Sequence, residues 1–147
     1  MGNETSAWRA KALEWFPAMR TEIQAAESIG QLWIELIARL QSHYREESPS
    51  ESSELVRGVC MYAIWCTRSE SQRIREAAFI EFYGYFPKFA LQCPETVYRQ
   101  ILADLISNIG VIEVEKMGAA LAQSDLNRFL ADAHQADDGR KAKSKKR

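Results

Sequence analysis

The chain has 147 residues and a mass of 16.8 kDa; 46% of it is hydrophobic, 27% is charged, and the formal net charge is −1. A chain of this size buries roughly 68–70% of its unfolded surface, enough for a core without metals or disulfides, and the composition excludes global disorder, a collagen-like repeat and a disulfide scaffold. No uncharged apolar run approaches the ~18–20 residues of a membrane helix, and neither a secretory nor a transit sequence is read at the start, so no transmembrane segment and a cytoplasmic location are expected.

Taken in order, the segments repeat with helical period. Thr5-Ser6 can cap a first helix carrying Trp8, Leu13, Trp15 and Phe16. Pro17 interrupts it and suits the first position of a short second helix reaching about Ala26. Ser28 and Gln31 fit a capping box. The following stretch places Ile29, Trp33, Leu36, Ile37, Leu40 and Tyr44 on one apolar stripe. A polar loop over residues 48–53 leads to a helix with Leu55, Val59, Tyr62, Ala63 and Cys66 on one face. Residues 58–66 of that helix carry no charge, as expected of a central helix covered by its neighbours. Ser69 with Gln72 predicts the next cap, and Gly84 and Pro87 predict the end of that helix. Cys93-Pro94-Glu95 opens a helix striped by Val97, Ile101, Leu105 and Ile109, and Gly110 closes it. Two shorter helices are predicted at about 111–122 and 124–135.

The expectation is an all-α fold of antiparallel helical hairpins, roughly 29–68, 71–109 and 111–135, in a HEAT-like or irregular bundle arrangement. One domain is expected over residues 1–136. A basic, disordered tail is expected over 137–147, since residues 139–147 hold six of the nineteen Lys and Arg and no acid. The remaining 138 residues carry 13 basic and 20 acidic side chains. An acidic body is a poor general surface for phosphate, so nucleic-acid contact is expected only through the tail.

Chemistry has few carriers here. Cys60, Cys66 and Cys93 form no CxxC, and Cys60 and Cys66 lie about 240° apart on a helix. Reduced, buried thiols are the expectation, with neither a metal site nor a cofactor. Cysteine–histidine catalysis would need one of these thiols to meet His43 or His134 in space. Six of the fifteen aromatics fall within residues 79–89. Most are expected in the core, with Tyr83 and Tyr85 as candidates for a binding surface. Glu81, inside this cluster, is the candidate for a partly buried acid of raised pKa and the centre of an enzymatic alternative. The segment around 46–54 carries Glu46, Glu47, Glu51 and Glu54 with no base, an acidic docking surface for a basic partner.

Three segments together resemble a known group. They are Trp15-Phe16-Pro17, the stretch Tyr62-Ala63-Ile64-Trp65-Cys66-Thr67-Arg68-Ser69-Glu70, and Glu76-Ala77-Ala78-Phe79-Ile80-Glu81-Phe82-Tyr83. The pattern resembles an uncharacterised family of small bacterial all-helical proteins, some of them immunity-type proteins found beside secreted toxins. Such families often carry an acid near the end of the Phe-rich helix, where this chain has Gly84-Tyr85-Phe86. The resemblance implies a helical fold and a binding role toward a protein partner, a toxin among the options, and it transfers no catalytic residue. The function expected from the sequence is therefore a non-catalytic interaction module with an acidic, aromatic-containing surface.

Overall fold

The computed structural model describes residues 3–45 and 53–145, and every regular element among them is helical. The chain divides into two compact units, 1–82 and 83–147.

The first unit holds α1 (Asn3–Trp15), a 3₁₀ turn (Pro17–Met19), α2 (Arg20–Ala25), α3 (Ile29–Arg45), α4 (Ser53–Thr67) and α5 (Gln72–Ala78). Pro17 starts the turn after α1, where its missing N–H costs nothing. The Ser28 hydroxyl accepts from the Gln31 amide at 3.1 Å, while the Gln31 side chain reaches one residue further back to the Glu27 N–H, at 2.6 Å. The predicted capping box is thus formed with one arm shifted. The cap before α5 is Ser71, which accepts from Ile74 N–H, and not Ser69, whose hydroxyl instead accepts from the Ser71 amide.

The core of this unit is aromatic. The Trp33 and Tyr62 rings stack at 5.5 Å, Phe16 meets Tyr62 edge-on at 5.9 Å, and Phe82 lies 5.9 Å from Trp33. Burying large apolar side chains stabilises by roughly 1.5–3 kcal/mol each. Tyr62 also donates to the Trp8 carbonyl at 3.0 Å, tying α4 to α1 across 54 positions of sequence. Gly58 makes that approach possible, since a methyl group there would lie 2.8 Å from Phe16 Cε1.

In the second unit Gly84 and Pro87 do not end a helix, contrary to expectation. A π-helical turn (Phe79–Tyr85) follows α5 directly, and α6 (Phe86–Gln92) continues from it with Pro87 in its first turn. A proline in an unbroken α-helix would clash with the carbonyl four residues back. The wider π turn shifts that register and lets the chain stay helical.

Two long helices complete the unit, α7 (Glu95–Met117) and α8 (Gln123–Lys145). Gly110 breaks α7 with φ 84° and ψ 161°, so residues 95–109 and 111–117 are separate helical segments. Contacts give their directions. Glu95 meets Arg128, Tyr98 meets Asp132 and Arg99 meets Gln135, so α8 runs parallel to 95–109. Glu115 meets His134, and a methyl group at Gly118 would lie 2.8 Å from Leu126, so 111–117 runs antiparallel to α8. The expected pair over 111–135 is therefore real at its turn, but α8 also continues to Lys145. Part of the segment expected as a disordered tail is helical.

Gly110 and Gly139 separate backbone conformation from crowding, because a methyl group at either would touch nothing within 4 Å. Only Gly110 has positive φ. Gly110→Ala is expected to lower unfolding free energy by about 1–3 kcal/mol. Gly139→Ala, in a helix interior, is expected to change it by less than ~1 kcal/mol and in the stabilising direction. Urea denaturation of both variants measures the contrast.

Candidate functional site

Glu46, Glu47 and Glu51 lie outside the described residues. Glu54 is exposed in the first turn of α4, where an acid complements the helix dipole. Glu81 is half-buried, and burial alone raises its carboxyl above the usual range. Tyr83 is not a surface tyrosine. It is 4% exposed and donates to Glu113 at 2.8 Å, and Glu113 in turn pairs with Lys116 at 2.9 Å. Tyr85 is 59% exposed, as expected of a surface residue.

Cys93 is half-buried, and its thiol donates to the Phe89 carbonyl at 3.4 Å. Cys60 and Cys66 are buried. Burial pushes the Cys66 thiol up to about 12, and contacts from Trp33 and Tyr62 offset only part of that rise. The Trp33 indole N–H makes no standard hydrogen bond; the polarisable Cys66 sulfur is the group it meets. A thiol so held is protonated at neutral pH and is no nucleophile. His43 is buried with its ring 4.4 Å from Tyr44, and His134 faces Glu115 at 3.5 Å. Among the described residues no group of three or more His, Cys, Asp or Glu is arranged to hold a metal ion, and no helix is long and apolar enough to cross a membrane.

A concave site with organised chemistry lies in the second unit, between residues 95–109 and α8. It is a groove of about 600 Å³, within the usual range of ligand sites. Leu102 and Ile106, both buried, form its floor. Ala103, Ser107, Ala136 and Gly139 keep its walls low. Helical spacing explains the set. Positions 99, 102, 103, 106 and 107 share one face of α7, and 132, 135, 136, 139 and 140 share one face of α8.

A charged cluster closes one end of the groove. Arg128 lies over the Tyr98 ring, 4.7 Å from its centre. It also pairs with Glu95 at 3.1 Å and Asp132 at 3.5 Å. Tyr98, fully buried, donates to Asp132 at 2.7 Å. Burial raises the Tyr98 phenol, and the hydrogen bond to Asp132 raises it further, so it remains a donor throughout the accessible pH range. Arg99 shares the same two carboxylates at longer range, 3.5 Å to Glu95 and 3.8 Å to Asp132. Two guanidinium groups and two carboxylates thus neutralise one another around a buried phenol. The arrangement fixes α8 against α7.

Sequence reasoning missed this site, although Glu95 with Arg99 and Arg128 with Asp132 are visible as i,i+4 pairs. No protein-family model matches the chain, and neither a curated protein nor a solved structure matches it.

Tyr98→Phe removes one hydrogen bond to an ionised group and leaves the ring under Arg128. It is expected to cost about 1.5–3 kcal/mol of stability, read by chemical denaturation at neutral pH. A loss under about 0.5 kcal/mol would show that Asp132 is held by the arginines alone.

Proposed function

We propose that this protein is a non-catalytic interaction module, and that the groove between α7 and α8 receives a segment of a protein partner. The observation that carries the reading is an open groove of about 600 Å³ with an apolar floor and low walls, beside a cluster in which Glu95, Arg99, Arg128 and Asp132 pair with one another. Leu102 and Ile106 close the base of the cleft, Ala103 and Ala136 present its reachable apolar surface, and covering such surface drives association. The immunity-type role implied by the sequence resemblance is one form of this module, with a toxin as the partner. Under this proposal the acidic segment around Glu54 steers a basic partner rather than forming the seat.

Ala136→Trp places a large ring in the groove from an otherwise half-exposed position. A pull-down from host lysate at low salt compares it with the wild-type chain and with the charge reversals Glu47→Lys, Glu51→Lys and Glu54→Lys combined. The proposal expects a protein captured by the wild type to be lost with Ala136→Trp, and its capture with the reversals to be weakened at low salt only. Retention with Ala136→Trp and complete loss with the reversals would move the interface to the acidic segment.

A second reading, association with nucleic acid, gains one supporting observation: the basic stretch continues α8 as a helix through Lys145. If that reading holds, deletion of residues 139–147 abolishes anisotropy changes with a labelled duplex while Ala136→Trp preserves them.

A further inference from the structure

We propose that the occupant of the α7–α8 groove is an amphipathic helix with clustered Asp or Glu at the end that lies over Arg140. This rests on the groove reading above and adds the shape and charge of what fills it.

Shape comes first. The groove runs between two parallel helical segments, along residues 99–107 on one side and 132–140 on the other. Eight residues of helix rise about 12 Å, a little over two turns. Over that length the walls are Ala103, Ser107, Ala136 and Gly139, side chains small enough for a third helix backbone to approach closely. Leu102 and Ile106, one turn apart and each 1% exposed, close the floor, and the reachable apolar groups are Ala103 on one wall and Ala136 on the other. An occupant that meets both, and stays wet on its outer side, needs apolar residues at i, i+3 or i+4, and i+7.

Charge then sets its direction and sign. At the Asp132 end the charges cancel, because Arg99 and Arg128 share Glu95 and Asp132. The other end is different. Arg140 lines the groove, is exposed, and pairs with no carboxylate among the described residues. Residues 83–138 carry four basic and eight acidic side chains. Asp137 and Asp138 stand beside Arg140 in sequence but do not line the groove, and Asp137 is spent on Lys141 at 3.1 Å. Asp104 is the remaining acid of the lining, and it accepts from Gln100 at 2.7 Å. An unpaired guanidinium therefore stands at one mouth of the cleft. An acidic helix end placed there gains charge-assisted contacts, while a basic one is repelled.

The test is selection of helical peptides on the full-length protein. A displayed library of 16-residue peptides holds Leu at i, i+3, i+4 and i+7 and varies the outer positions among Glu, Lys, Ser and Gln. The expected result is enrichment of Glu over Lys at one end of the selected peptides by ten-fold or more. Arg140→Glu should erase that bias, and Ala136→Trp should erase selection altogether. Both variants are first shown by circular dichroism to keep the wild-type helix content; a second groove-filling variant, Ser107→Trp, replaces Ala136→Trp if that one fails to fold. Selection that Ala136→Trp abolishes but that shows neutral or Lys-rich ends overturns the charge assignment and leaves the groove reading standing. Selection equal on the wild type and the filled variants overturns both. Glu-rich peptides that bind the filled variants equally, and that an unrelated duplex displaces, would assign the basic end to polyanions and overturn the helix proposal.

Discussion

A reversal of the chain at Gly110 is the constraint on which the second unit depends. Its backbone sits at φ 84°, ψ 161°, a region open in practice to glycine alone. Because the chain doubles back there and again after Met117, α8 comes to lie parallel to residues 95–109, with 111–117 running antiparallel beside it. Parallel helices so close in sequence need a connecting segment that runs the other way, and 111–117 is that segment. The Tyr98, Arg128, Asp132 and Glu95 contacts then fix the register of α8. The groove exists because two helix faces poor in bulk meet in this register. Side chains such as leucine at 136 and 139 would fill it.

The first unit is built on a different principle. Tyr62 stands at its centre, stacked on Trp33, edged by Phe16 and bonded to the Trp8 carbonyl. Burial holds both its phenol and the neighbouring Cys66 thiol in their neutral forms. Groups that look reactive by type are here parts of an apolar core. The same holds for Tyr83, whose hydroxyl is committed to Glu113. The first unit packs Phe16, Trp33, Tyr62 and Phe82 against one another, while the second leaves an open groove beside its charged cluster.

Helical period made the fold class legible, since each stripe of apolar residues needs a neighbour to cover it. Gly110 was legible as a stop because a glycine follows the last apolar position of a clear stripe. Pro87 misled, because a proline after Gly84 reads as a terminator, and only a π turn, which leaves no mark in composition, allows the helix to continue. Ser69 misled for a smaller reason: two serines stand two residues apart, and the one nearer the first buried side chain, Ile74, is the cap. The continuation of α8 past residue 136 was hidden by the density of lysine, which reads as disorder when no packed face is visible. The groove was not legible at all. Its walls come from segments some 35 positions apart, and their meeting depends on the direction taken after Gly110. The i,i+4 pairs Glu95–Arg99 and Arg128–Asp132 were visible singly, but nothing in the sequence shows that they interlock.

The central claim is that α8 lies parallel to residues 95–109 with an open groove between them. Nuclear Overhauser contacts in the full-length protein test it directly. The account requires the methyl groups of Leu102 and Ile106 to show contacts to residues 135–140, and Tyr98 ring protons to show contacts to Arg128 and Asp132. Contacts from Leu102 and Ile106 to residues 124–129 instead would mean an antiparallel α8, and the groove with everything drawn from it would fall.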